Sequence, residues 1–282
     1  MKKIGFIDYY LSEWHADSYP KWIEEYSKQV GTDYKVCYAY GEIDVSPVDG
    51  LTTDEWCKKF NIERAYSIKE LVEKSDFVVL LAPTNPETHL ALCSEAFKYL
   101  NGKPIYVDKT FAPNYETALE IFRVAKEYGV KFFSTSALRY SPTLIESMNE
   151  KNVIPFMGGS NLDEYIIHQV ETIVKFYGVG ATEVKAEQED DVIKFEVKFK
   201  NGKTGYMNYA RKFGYDAEIE AQDGTKKMVD LIGGCFQNLI KNIVDFFETG
   251  SVDFDNAEIL EVMKIRDAVL IAKDNLGQWI KV

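Results

Sequence analysis

The chain has no apolar run near the ~20 residues that a bilayer span needs, no low-complexity tract and no internal repeat. Its first residues, MKKIGFIDYY, hold only a few apolar positions before Asp8. That is too short for a secretory signal core and reads as a first strand. Cysteine is sparse. Cys37, Cys57, Cys93 and Cys235 form no C-x-x-C pair and no Cys/His cluster at zinc spacing. Free thiols in a reducing cytoplasm are expected, with no metal. Positive charge is also short, with 33 Lys and Arg against 45 Asp and Glu and a net charge of −12. Such a surface repels polyanions, so neither nucleic acid nor a membrane is expected as a partner.

What is present is an alternation. The 282 residues allow two domains. KIGFID (3–8) reads as a buried strand, 17–30 as a helix stopped by Gly31, and KVCYAY (35–40) as a second strand. Ser67 and Glu70 have the spacing of a capping box. FVVLLA (77–82) is a continuous β-branched and apolar run, as in a strand covered on both faces. A helix over 88–99, a strand over 104–108, a helix closed by Gly129 and a strand over 131–136 follow. This spacing predicts an α/β, Rossmann-like, doubly wound parallel sheet over residues 1–137. Beyond it, a helix over 161–177 leads into VIKFEVKFK, TGYMNYA and DAEIEAQ, with the hairpin signal Asn201-Gly202 between the first two. Helices near 234–248 and 256–275 end the chain. Residues 138–282 are therefore expected to form an α+β domain with an open, mostly antiparallel sheet.

Doubly wound sheets bind ligands at the carboxyl ends of their strands. Dinucleotide binders carry G-x-G-x-x-G after the first strand. Here the turn reads Asp8-Tyr9-Tyr10-Leu11-Ser12-Glu13, with Gly5 inside the strand and no glycine in the turn. Asp8 and Glu13 oppose phosphate. Three readings stand: an ordinary pyrophosphate site, a turn that binds no cofactor, and a turn where Tyr9, Tyr10, Ser12 or His15 make substitute contacts. NAD enzymes place an acid for the ribose after the second strand. Tyr40 and Gly41 stand there, with Glu42 just beyond, so NAD and NADP both remain open. Ala82-Pro83-Thr84-Asn85 is a ligand-facing loop, and His89 near the next helix start suits a structural or capping role as readily as a catalytic one. Lys109 follows Asp108 at the end of another strand. On the 161–177 helix, Leu162, Ile166, Val170, Ile173 and Tyr177 form the apolar stripe, and Glu164, His168 and Glu171 lie opposite it. That face is either solvated or, beside a cleft, a histidine with a carboxylate one turn before it.

Five segments in order resemble the glucose–fructose oxidoreductase and inositol dehydrogenase (Gfo/Idh/MocA) family. They are Pro83 to His89, Asp108-Lys109-Thr110, Arg139-Tyr140-Ser141-Pro142, Gly158-Gly159, and Glu164-x-Ile166-x-His168-x-x-Glu171. The resemblance spans nearly the whole chain. It implies an NAD(P)-dependent oxidoreductase that moves a hydride between a nicotinamide and a sugar, cyclitol or related polyol. His168 would take the hydroxyl proton, Glu164 would orient it, and Lys109 would stabilise the alkoxide. Tyr140 and Glu171 would meet substrate hydroxyls. Asp8, Tyr9, Tyr10, His15, Gly41, Glu42, Ala82, Pro83, Thr84, Asn85, His89, Asp108 and Lys109 would line the cofactor. Thr110 replaces proline, Asp108 glutamate, Glu164 aspartate and Ile166 glycine. With the glycine-free turn, these departures leave an alternative open: a non-catalytic relative acting as a ligand-binding sensor or partner subunit. A third reading is an enzyme that uses the same cleft without a redox step. Relatives associate through the open face of the second sheet. A homodimer or homotetramer is therefore expected, with Phe195, Val197 and Phe199 partly buried between subunits.

Overall fold

The computed structural model describes all residues, 1–282. The chain divides into two compact units, Met1–Ser134 with Ile240–Asp253, and Thr135–Leu239 with Phe254–Val282. It therefore leaves the first unit at Ser134 and returns to it once, through most of one late helix. A single boundary at 137 misses that return.

In the first unit the chain runs β1 (Lys2–Asp8), α1 (Trp14–Val30), β2 (Tyr34–Gly41), α2 (Thr53–Phe60), β3 (Glu63–Arg64), α3 (Ile68–Lys74), β4 (Phe77–Leu80), α4 (His89–Phe97), β5 (Ile105–Val107), α5 (Tyr115–Glu127) and β6 (Phe132–Phe133). The sheet is parallel throughout, in the order β3-β2-β1-β4-β5-β6. The strand order reverses between β1 and β4, which is where this architecture opens a crevice. Ile4, Phe6 and Ile7 of β1 and Val78, Val79 and Leu80 of β4 are fully buried, as their unbroken apolar runs require. Gly5 packs tightly against α3. A Cβ there would lie 2.4 Å from Ser75 Oγ and 2.5 Å from Leu71 Cδ2. Helix α1 begins three residues earlier than expected, because Glu13 caps it. The full capping box is Thr52 with Glu55 on α2. At α3, Ser67 Oγ accepts from Glu70 N, but Glu70 Oε2 accepts from Tyr66 N and not from Ser67.

The second unit holds α6 (Pro142–Glu146), β7 (Asn152–Met157), α7 (Leu162–Tyr177), β8 (Ala181–Glu189), β9 (Val192–Phe199), β10 (Thr204–Tyr209), β11 (Tyr215–Glu220) and β12 (Lys226–Asp230). Helix α8 (Cys235–Thr249) starts here and continues into the first unit, where Phe246 meets Phe133 and Phe247 stacks on Phe77. Helix α9 (Asn256–Lys273) and β13 (Trp279–Lys281) finish the chain. The sheet order is β12-β11-β7-β10-β9-β8-β13, antiparallel except for the β7–β10 pair. Helices α7 and α9 pack on one face. Phe195, Val197 and Phe199 point to that face and are 1%, 0% and 4% exposed within a single chain. This corrects the expectation that they lie between subunits. The opposite face of β9 carries Lys194, Glu196 and Lys198.

Candidate functional site

In the first unit the glycine-free turn is built around carboxylates. Asp8 ends β1 and is 1% exposed. Its Oδ1 accepts from Tyr9 N at 2.7 Å and Ala82 N at 3.0 Å, while its Oδ2 has no partner. Burial, then the charges of Glu13 and Asp108, push its pKa well above the usual carboxylate range, against the pull of the two backbone bonds. Glu13 takes the N-terminus of α1. Its carboxylate accepts from His15 N at 2.8 Å and from Ala16 N, and its Oε2 lies 2.9 Å from His15 Nδ1. His15 Nε2 stands 3.7 Å from Asp108 Oδ2, and Asp108 Oδ1 accepts from Tyr106 OH at 2.7 Å. Tyr10 OH reaches Thr84 Oγ1 at 3.4 Å, so this turn and the loop after β4 touch.

At the end of β2, Tyr40 OH donates to Glu42 Oε2 at 2.8 Å. Burial and that bond push the phenol up to about 12. The two residues line a cavity of about 330 Å³ with Tyr66, Ile68, Leu92 and Glu95. Its lining is mixed, with Ile68 and Leu92 apolar and Tyr40, Tyr66, Glu42 and Glu95 bearing polar groups. Gly41 comes close to α2; a Cβ there would lie 2.9 Å from Thr53 Oγ1.

After β4 the chain turns through Ala82, at φ 58°, and Pro83. Lys109, half-buried beyond β5, lies with its Nζ 3.4 Å from Pro83 O. Thr84 and Asn85 are tied to each other, and Asn85 Nδ2 donates to Glu87. His89 does not face a ligand. It is fully buried, with Nδ1 3.0 Å from Phe111 O and Nε2 2.8 Å from Leu81 O. Burial holds its pKa below the usual histidine value despite those bonds. It pins the β4 loop to the segment after Lys109, a structural role in place of the expected cofactor contact.

In the second unit, α7 starts at the cap Asn161 and presents His168. His168 Nδ1 lies 2.7 Å from Ser136 Oγ, and Ser136 Oγ accepts from Leu138 N at 3.2 Å. The edges of Tyr165 and Tyr215 flank the ring. Ser136 is thus a partner that orients His168. Glu164 is turned to Asn161, whose Nδ2 donates to its Oε2 at 3.1 Å. Sequence reading missed Ser136, because its partner lies 32 residues away; its one local sign was the polar Ser-Thr-Ser end of an apolar strand. Glu171 is engaged inside the protein. It accepts from Arg139 Nε and from Thr135 Oγ1 at 3.0 Å and is 4% exposed. Its carboxylate, expected to meet substrate hydroxyls, is committed to these partners within the second unit. Tyr140 is also buried, at 2%. Gly158 and Gly159 admit no side chain. A Cβ on Gly158 would lie 2.4 Å from Ala210 O, and one on Gly159 would lie 2.1 Å from the Tyr165 ring. No group of three or more His, Cys, Asp or Glu is placed to hold a metal ion, and no helix is long and apolar enough to cross a membrane.

No protein-family model and no curated protein sequence matches the chain. Solved structures do. A dehydrogenase (MviM) from Clostridium difficile superposes with a TM-score of 0.72 at 15% identity, over 96% of this chain and 99% of that one. The UDP-N-acetylglucosamine 3-dehydrogenase GnnA from Acidithiobacillus ferrooxidans gives 0.73 at 13% identity, over 96% and 97%. GenD2 from gentamicin A biosynthesis, in complex with NAD, gives 0.77 at 12% identity, over 100% and 97%. The chain has the fold of Gfo/Idh/MocA-type dehydrogenases along its whole length.

Proposed function

We propose that the chain is an oxidoreductase of the CH–OH class that acts on a sugar, cyclitol or related polyol with NAD as hydride partner. The observation that carries this reading is the Ser136–His168 pair. Ser136 Oγ accepts from Leu138 N and shares a second hydrogen bond with His168 Nδ1. When Nδ1 carries the proton, Nε2 is the base, and the ring held by Ser136 can take a hydroxyl proton and return it. The resemblance assigns stabilisation of the alkoxide to Lys109, whose ammonium stands at the carboxyl end of β5.

A dinucleotide fits the first unit with one exception. The cavity beside Tyr40 and Glu42 suits an adenosine ribose, and the negative charge of Glu42 and Glu95 disfavours a 2′-phosphate, which selects NAD over NADP. The loop Ala82 to Asn85 and Lys109 border the same sheet edge. The exception is the α1 N-terminus, where Glu13 already holds the N–H groups a pyrophosphate would use. When bound, the nicotinamide supplies the hydride chemistry.

Thermal unfolding with NAD+, NADH, NADP+ and NADPH tests the cofactor. A ligand at about 100 times its Kd adds roughly 2.7 kcal/mol, a rise of several degrees in Tm. A shift with NAD+ or NADH alone is expected. In an assay on sugars and polyols, His168→Asn is expected to lower kcat by about 10²–10⁴ with KM little changed. A variant with full kcat removes His168 from the chemistry. The capped helix favours a second reading, a non-catalytic ligand-binding relative, which predicts no shift with any of the four cofactors.

A further inference from the structure

We propose that Glu13 is a built-in occupant of the phosphate position, and that a dinucleotide enters only when its side chain leaves. The inference rests on the cofactor reading above.

An N-cap is ordinarily Ser, Thr, Asp or Asn, whose short side chain bonds one amide of the first turn. Here the cap is a glutamate with an extended backbone, φ −141° and ψ 163°, and its longer arm folds back over the helix end. Three donors converge on one carboxylate: His15 N, Ala16 N and the imidazole at Nδ1. Two backbone N–H groups at the positive end of a 17-residue helix, with an imidazole beside them, are a donor set for a phosphate oxygen pair. The carboxylate, with its side chain only 9% exposed, takes the part of that phosphate.

A second observation at the same turn is independent of the helix end. Asp8 Oδ2 and Asp108 Oδ2 are buried carboxyl oxygens without a hydrogen-bond partner, on residues each 1% exposed. Asp108 Oδ2 faces His15 Nε2 at 3.7 Å, and the charges of Glu13 and Asp108 both raise the pKa of Asp8. Buried carboxyl oxygens without a partner mark a place where a hydrogen-bonding group is missing. Ribose hydroxyls and a carboxamide are such groups. Diphosphate and Glu13 therefore compete for the same three donors. The missing glycines have a consistent explanation, since the backbone need not approach a phosphate that a side chain imitates. Rotation about the Glu13 side chain frees the set without moving α1.

The test is titration of the full-length chain with NADH, followed by fluorescence, in wild type, Glu13→Ser and Glu13→Gln. Serine remains a good N-cap and vacates the position; glutamine keeps the length and drops the charge. Glu13→Ser is expected to bind NADH at least tenfold more tightly than wild type, with Glu13→Gln between them. Inorganic pyrophosphate should compete with NADH in Glu13→Ser. Adding His15→Ala to that variant should take back a large part of the gain, because His15 is the donor left facing the phosphate. If Glu13→Ser does not fold, Glu13→Gln decides alone. Equal NADH affinity in wild type and variants overturns the occupant role and leaves the cofactor reading standing. Absence of binding in every variant overturns both.

Discussion

Removing the Glu171 carboxylate should unfold the second unit at markedly lower temperature. Arg139 is 1% exposed and held between two acids. Its Nε donates to Glu171, and its Nη1 lies 2.8 Å from Glu258 Oε2, an ion pair poorly aligned for a hydrogen bond. The Phe254 ring covers the guanidinium at 4.1 Å. Burial alone would lower the pKa of the guanidinium, but Glu171 and then Glu258 reverse this, so it stays charged. Glu171→Ala leaves that charge with one partner, Glu258, whose side chain is 22% exposed and screened by water. Breaking a buried pair from one side typically costs about 3–5 kcal/mol, and the remaining acid places this case near the lower figure. At about 2–4 °C per kcal/mol for a protein of this size class, Tm should fall by roughly 6–12 °C. Calorimetry is the assay of choice, because two units can melt in separate transitions and only one should move. The control is Arg139→Met with Glu171→Leu, which removes both charges and should recover most of the loss. A shift below about 2 °C for Glu171→Ala, or a double variant as unstable as the single one, would refute the assignment of Glu171 to structure and return it to the list of substrate contacts.

Two further outcomes follow from buried groups. Asp8 has a folded pKa above its unfolded value, so its contribution to stability is full below about pH 3.9 and is lost as pH rises through the folded value. Asp8→Asn keeps the acceptor for Tyr9 N and Ala82 N, so it should melt a few degrees higher than wild type at pH 8 and show a flatter pH profile; a variant less stable at pH 8 contradicts this. Gly158→Ala forces a Cβ against the carbonyls of Ala210 and Phe213 and should destabilise by about 1–3 kcal/mol in urea, with an unchanged midpoint showing that the segment can yield.

The parts of this fold that the sequence announces are those whose signal is local. FVVLLA is a buried parallel strand because every position is apolar, and β4 is buried as that run requires. The Asn201-Gly202 turn joins β9 to β10 as the antiparallel hairpin it signals. What the sequence hides is partnership across distance. Alternation in VIKFEVKFK gives two faces but does not say which one α7 and α9 will cover. An amphipathic run over 235–249 gives a helix but not the unit it packs on. Ser136 carries no mark of the histidine it meets 32 residues later. The glycine-free turn belongs to the same class. Read from its letters, it lacks the residues that let a backbone approach phosphate, and this suggests a lost site. The folded chain keeps the helix N–H groups and satisfies two of them with a carboxylate from the same turn. A lost site and an occupied site have the same sequence signature, because glycine reports on backbone freedom and says nothing of where a neighbouring glutamate will point. They differ in the energy of one side chain, so a single substitution at Glu13 separates them.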